Sequence, residues 1–400
     1  MDGYSKTLAY TATAGITLYF GVSKYLENSK VKLVMASDGD KTVRSLIEEH
    51  CPSLTDSAKA YLVPSPLLCT GTLQTIYCSG IALKRDGLSN IKYERELREM
   101  SDGGTVSIDW YPGRSSSDGS SDAESTQPIA IVIPGLGGSS YEYHIRSLAK
   151  HLAESSRSKI RVAAINHRGS GRTPLTSSKL YNAYDTSDLH EIVEYISESF
   201  PKSRIVCIGF SMGANILTRY MGEKGDQSKI AAATVISCPF DMLITGRALS
   251  TPGFLNDRLF QPSLMATLRR VLERNIDMIK TSEVGYDIDA VLKAKRVSDV
   301  DDLITAKAYG FSDCWEYYKA ASSSSSVDAI RRPFLAINAA DDPITLIEGV
   351  PVDKFKQNPN TALAIVRHGG HIGFFSGINP RIWFIQPVAE FFDAVLADNA

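Results

Sequence analysis

Ser211 sits at the centre of Gly209-Phe210-Ser211-Met212-Gly213. The β-branched run Ile205-Val206-Cys207-Ile208 leads into it, and the helical pattern Ala214-Asn215-Ile216-Leu217-Thr218-Arg219-Tyr220-Met221 leads out. A serine at so tight a strand-to-helix turn takes strained backbone angles. It stands exposed at the C-terminal edge of a sheet, where its hydroxyl is free to act as a nucleophile. Glycine is required at 209 and 213 because a Cβ at either would crowd the neighbouring strand or helix. The bland reading of the pentapeptide is a plain structural turn, and the strand before it and the helix after it favour the nucleophile.

A serine hydroxyl attacks poorly until a base takes its proton and a carboxylate orients that base. Of the seven histidines, only His368 and His371 lie C-terminal to Ser211. Both fall in Arg367-His368-Gly369-Gly370-His371-Ile372-Gly373, a glycine-rich loop after the apolar stretch 361–366. His371 is the expected base. His368, nearer the strand end, is expected only to support the loop. His50, His144, His151, His167 and His190 read as surface or structural residues, with His144 and His167 near the expected pocket mouth. The acid is expected after the apolar run Phe334-Leu335-Ala336-Ile337-Asn338, in Ala339-Ala340-Asp341-Asp342-Pro343. One aspartate faces His371 and the other caps the loop, with Asp342 the preferred partner. Serine, then acid, then histidine along the chain is the order in which α/β-hydrolases supply their triad.

The oxyanion of an acyl-transfer intermediate needs donors too. The strand Ile129-Ala130-Ile131-Val132-Ile133 runs into Pro134-Gly135-Leu136-Gly137-Gly138, whose small residues leave backbone N–H groups free. The expected donors are the N–H groups of Leu136 and of Met212, the residue after the nucleophile. A glycine-rich loop can cradle phosphate instead, but no Gly-Lys-Ser/Thr follows and the spacing is not G-x-G-x-x-G.

The elements that must position these residues alternate between strand and helix over 129–133, 141–154, 160–165, 186–199, 204–208, 211–222 and 231–237. That alternation predicts a mostly parallel central sheet with helices on both faces. Two antiparallel strands around Ser101-Asp102-Gly103-Gly104 precede it, and 40–62 reads as helical. Residues 112–127, poor in apolar side chains, read as a mobile hairpin loop. The rhythm breaks at Pro239. About 240–320 reads as a mostly helical insertion, with one long helical stretch from Pro262 to Lys295, aromatic residues at Phe311, Trp315, Tyr317 and Tyr318, and a return linker at 322–326. Falling between serine and acid, the insertion is expected to form a lid over the site.

The motif set resembles the AB-hydrolase 4 family of α/β-hydrolases, which includes α/β-hydrolase domain-containing proteins 1, 2 and 3 and yeast medium-chain fatty acid ethyl ester synthases. The resemblance rests on Gly71-Thr72-Leu73-Gln74-Thr75, on residues 101–110, on Pro134 to Gly138 and on Asn166-His167-Arg168-Gly169-Ser170-Gly171. The elbow, residues 338–343 and Gly369-Gly370-His371-Ile372-Gly373-Phe374 complete it. Thr72 stands where members often carry His, and Leu67 and Leu68 where they often carry Trp. The resemblance implies an α/β-hydrolase fold, a Ser211, Asp342 and His371 triad, and activity on acyl esters, with acyl transfer to an alcohol in some members.

Four hundred residues, 43 % of them hydrophobic, make a sizeable core, and a net charge of −2 gives no electrostatic case for a nucleic-acid partner. The six cysteines show no C-x-x-C spacing. Cys207 and Cys238 read as buried free thiols, which points to a reducing, intracellular compartment and away from a zinc site. Residues 29–400 are expected to form the hydrolase domain and 1–28 a separate N-terminal segment. The uncharged run Thr7 to Ser23 falls slightly short of the roughly 20 residues that span a bilayer. It reads as a membrane anchor or interfacial helix, as a cytosolic helix, or, third, as a signal peptide. The expected activity is cleavage of lipid or medium-chain esters without cofactor or metal. Acyl transfer to an alcohol, with a place in specialised-metabolite biosynthesis, is the first rival. A non-catalytic binding protein on the same fold is the second.

Overall fold

The computed structural model describes residues 29–37, 43–56, 60, 67–80, 91–114 and 121–397. The N-terminal run 7–23 lies outside the described residues. No helix among the described residues is long and apolar enough to cross a membrane.

Nine strands form one sheet: β1 (Lys32–Met35), β2 (Glu94–Glu99), β3 (Thr105–Tyr111), β4 (Ile129–Ile133), β5 (Arg161–Asn166), β6 (Ile205–Phe210), β7 (Ile230–Ile236), β8 (Phe334–Ala339) and β9 (Thr361–Val366). Their order across the sheet is β1-β9-β8-β7-β6-β4-β5-β3-β2. The run from β5 to β9 is parallel throughout. β3 and β2 add antiparallel strands at one edge and β1 adds one at the other.

The central strands are unbroken apolar runs because helices cover both faces. Their side chains alternate between two cores. Ala130, Val132, Val206 and Ile208 meet Leu148 and Leu152 of the helix Tyr143–Glu154 and Phe391 and Phe392 of Ile385–Ala397. Ile131, Ile133, Ile205 and Cys207 face Ile192 and Ile196 of Ser187–Ser199 and Leu217 and Met221 of Met212–Lys224. The edge strand β2 is charged along its length (ERELRE), which blunts edge-to-edge pairing. All six cysteines are unpaired, with Cys51, Cys207, Cys238 and Cys314 buried.

Two local expectations need correction. Residues 112–127 do not join a hairpin, because the strands they connect, β3 and β4, are not neighbours: β5 lies between them. Its described ends are tied down: the Arg114 side chain reaches Asp122 and the Tyr195 hydroxyl. The stretch from Pro262 to Lys295 is not one helix. Gln261–Arg274 ends where the Asn275 side chain turns to donate to the Val271 and Gly169 carbonyls. Short helices at Ile276–Ile279 and Ile288–Lys293 follow, separated by a turn in which Gly285 has φ +69°. The return linker after Ala321 packs against the helix that follows Ser211. Ser326 lies so close to Gly222, on the helix after Ser211, that a Cβ there would come within 2.6 Å of the Ser326 carbonyl oxygen.

Candidate active site

Ser211, Asp342, His371 and the loop holding Leu136 all follow the C-terminal ends of parallel strands: β6, β8, β9 and β4. Ligand sites of open α/β sheets gather at that edge. Ser211 has φ +51° and ψ −119°, a region that side chains other than glycine rarely occupy. The strain persists because the turn leaves no alternative. A Cβ at Gly209 would lie 2.5 Å from the Gly213 carbonyl oxygen, and one at Gly213 would lie 2.4 Å from that of Pro134. The Ser211 N–H is held by the Ile236 carbonyl at 3.0 Å.

The His371 ring bridges the serine and one aspartate. Its Nε2 is 2.9 Å from Ser211 Oγ and its Nδ1 is 2.9 Å from Asp342 Oδ2. Asp342 also accepts from the N–H groups of Ile344 and Thr345 and from the Thr345 hydroxyl, at 2.8, 2.9 and 2.6 Å. Burial pushes the Asp342 carboxyl up, but the His371 charge and these hydrogen bonds outweigh it and hold the group below the ordinary carboxylate range. An acid held ionised in this way keeps a proton on the ring nitrogen that faces it, which leaves Nε2 to receive one.

The second histidine takes the second acid. His368 Nδ1 lies 3.1 Å from Asp341 Oδ2. Asp341 also accepts the N–H groups of Gly71, Gly369 and Gly370, at 2.7, 2.9 and 3.0 Å. It therefore ties the histidine loop to the start of the helix Gly71–Gly80. No sequence signal gave the Gly71 to Thr75 motif a role. In the structure it supports that loop: Thr75 Oγ1 accepts the His371 N–H at 2.8 Å, Gln74 Oε1 accepts the Phe375 N–H at 2.6 Å, and Gln74 Nε2 donates to the His368 carbonyl at 3.3 Å. A Cβ on Gly370 would collide with the Gly71 carbonyl oxygen at 2.1 Å. Ser237 was also missed, and its hydroxyl accepts the Ile372 N–H at 3.0 Å.

The Leu136 loop is fixed at both ends. The Gly137 N–H donates to the Tyr181 hydroxyl at 2.5 Å, and that hydroxyl donates to the Gly135 carbonyl at 3.0 Å, so one phenol grips the residues on either side of Leu136. Farther along, Ser140 donates through its N–H to Asn166 and through its hydroxyl to Asp109, a buried acid that Arg95 clamps with two hydrogen bonds. Neither the Leu136 nor the Met212 N–H has a hydrogen-bond partner among the described residues.

His144 and His167 are buried, and neither lines the cavity that holds Ser211 and His371. Burial, then the His371 charge, pushes His144 down to about 3. Burial likewise pushes His167, stacked on Tyr181 at 3.9 Å, down to about 4. Residues of the helical insertion line the cavity that holds the serine. Ser211 and His371 open into a cavity of about 110 Å³ walled by Leu249, Leu264 and Leu268 of the insertion and by Leu136 and Ile344 of the sheet edge. No group of three or more metal-ligating side chains occurs among the described residues.

Residues 128–378 match the α/β-hydrolase fold family. Phospholipase ABHD3 of Homo sapiens is 30 % identical over 92 % of this chain and 86 % of its own length. Monoacylglycerol lipase of Saccharomyces cerevisiae is 29 % identical over 88 % of this chain and 84 % of its own length. Medium-chain fatty acid ethyl ester synthase/esterase 2 of the same yeast is 28 % identical over 92 % of each.

Proposed function

The chain belongs to the α/β-hydrolase fold family, whose relatives named lipase, phospholipase and esterase make it an enzyme of ester hydrolysis, and we propose that it works as a serine hydrolase through Ser211, His371 and Asp342. The observation that carries this reading is the single imidazole standing 2.9 Å from both the serine hydroxyl and a buried, ionised carboxylate. Ser211 Oγ attacks the ester carbonyl while His371 Nε2 takes its proton. Asp342 holds the ring in the tautomer this requires and stabilises the imidazolium. The N–H groups of Leu136 and Met212 receive the oxyanion. His371 then returns its proton to the leaving alcohol, the acyl group stays on Ser211, and water resolves the acyl-enzyme.

Residues 240–320 serve as the lid. Their apolar wall suits a medium-chain or lipid acyl group, because burying each CH₂ contributes about 0.8 kcal/mol. Hydrolysis of p-nitrophenyl esters from acetyl to palmitoyl, with wild type and Ser211→Ala, tests both points. Serine-dependent turnover with an optimum at intermediate length is expected. Near-normal turnover by Ser211→Ala would overturn the mechanism.

Acyl transfer is the second reading, because an alcohol can take the acyl group from the same intermediate. The likeness to an ethyl ester synthase/esterase favours keeping it. Excess ethanol in the same assay separates the two: a new ethyl ester at the expense of free acid means transfer.

A further inference from the structure

Asp301 stands in the insertion, has no part in the triad, and lines the same cavity as Ser211 and His371. Its Oδ1 accepts from the Thr305 hydroxyl at 2.8 Å and its Oδ2 from the Tyr318 hydroxyl at 2.7 Å. Tyr318 and Thr305 line the cavity beside it. No lysine, arginine or histidine among the described residues pairs with this acid. Burial first, and then the charge of neighbouring Asp302, raise the cost of ionising it against the pull of the two hydroxyls; the carboxyl is pushed up to about 6. Residues Asp301–Thr305 form a wide, π-type turn, an irregularity frequent at functional sites.

A carboxylate among leucines with no cation beside it is costly. An ionised carboxylate has about four acceptor positions. Thr305 and Tyr318 occupy two of them, and the rest are left for a donor that enters the cavity. The triad needs nothing of the kind, and an apolar side chain would suit a pure hydrocarbon chain better.

We propose that Asp301 is a specificity-determining residue, the polar end of the Ser211 cavity, and that it accepts a hydrogen bond from a hydroxyl group carried by the substrate at a distance from the scissile ester. This rests on the hydrolase reading. The hydroxyl belongs either to the acyl part, as in a hydroxylated fatty acyl ester, or to the alcohol part, as in a glycerol ester. A site built around a part-buried acceptor facing an apolar cavity penalises the analogue that lacks the donor, because its acid is then left unmatched.

Two matched sets of substrates decide. The first is p-nitrophenyl alkanoates from butanoyl to dodecanoyl, each with a terminal methyl or a terminal hydroxyl. The second is a 1-monoacylglycerol against the methyl ester of the same acid. The measurement is the ratio of kcat/KM within each pair, for wild type, Asp301→Asn and Asp301→Leu. In one set the hydroxylated member is expected to be favoured. That ratio should fall about tenfold or more in Asp301→Leu, with Asp301→Asn between, as loss of a hydrogen bond to a charged acceptor predicts. The set that responds says which part of the substrate carries the hydroxyl. A fluorophosphonate labelling rate at Ser211 accompanies each variant. Normal labelling with ratios unchanged by either substitution would overturn the Asp301 subsite alone. A wild-type enzyme that neither labels nor turns over would sink the hydrolase reading and this one with it.

Discussion

Two aspartate–histidine pairs lie side by side at the C-terminal edge of the sheet, drawn from adjacent acids and from histidines three residues apart. Asp342 and His371 end on a serine; Asp341 and His368 end on no further side chain among the described residues. Asp342 is buried, and its hydrogen bonds come from its own loop and from one imidazole. Asp341 is part-buried and accepts three backbone N–H groups from two separate segments. The same residue types thus do opposite work. In the proposed mechanism one acid fixes the tautomer of the ring that takes the serine's proton, and the other holds the backbone that carries that ring. Residue type does not separate them; the identity of the remaining hydrogen-bond partners does.

Substitutions at the two pairs should separate in the same way. The largest effect is at the end of the first pair: Ser211→Ala should lower kcat by roughly 10⁴- to 10⁶-fold on p-nitrophenyl esters while the melting curve stays close to wild type. Asp342→Asn should follow, with a kcat loss of roughly 10⁴-fold, because the amide presents the wrong group to Nδ1. Asp341→Asn should reverse the pattern. It leaves at least one of three backbone donors unmatched, so denaturant unfolding should show a loss of about 2 kcal/mol or more, with a far smaller loss of kcat than Asp342→Asn. Equal kcat losses from the two asparagine variants would break the distinction. His368→Ala should cost less again, within about threefold in kcat, since among the described residues its ring hydrogen-bonds only Asp341.

Asp301 sharpens the comparison as an acid with no imidazole at all. Its carboxyl is raised from the ordinary 3.8 to about 6 by burial and the Asp302 charge, against the pull of Tyr318 and Thr305. The stability this gives is fully present below about 3.8 and is lost as the pH rises through about 6. Asp301→Asn should therefore be more stable than wild type at pH 7, by on the order of 1–3 kcal/mol, and the gap should close by pH 4. A gap that does not change with pH would show that the carboxyl is not perturbed.

Much of this was legible in the chain. The elbow is written locally: Gly209, Ser211 and Gly213 sit within five residues, and a turn that tight leaves few conformations. The parallel core was legible because β4, β6 and most of β8 are apolar runs divided by helical patterns. The insertion was legible as helical but not in its breaks, since Asn275 ends its helix partly by bonding to Gly169, 106 residues away in the chain.

The sequence by itself determined the chemical inventory: a serine on a strained turn, acids after one strand, histidines after the next and a glycine-rich loop beside them, the set from which the proposed mechanism is built. These follow from rules that act over a few residues. Tertiary structure alone decided which acid meets which histidine and that Gln74 and Thr75 hold a loop some 296 residues away. It also decided that Tyr181 grips both sides of Leu136 and that Asp301 faces the serine's cavity. Those outcomes depend on the order of strands across the sheet and on how the insertion folds back over it. Both are set by contacts between segments far apart in the chain, which short-range pattern does not encode.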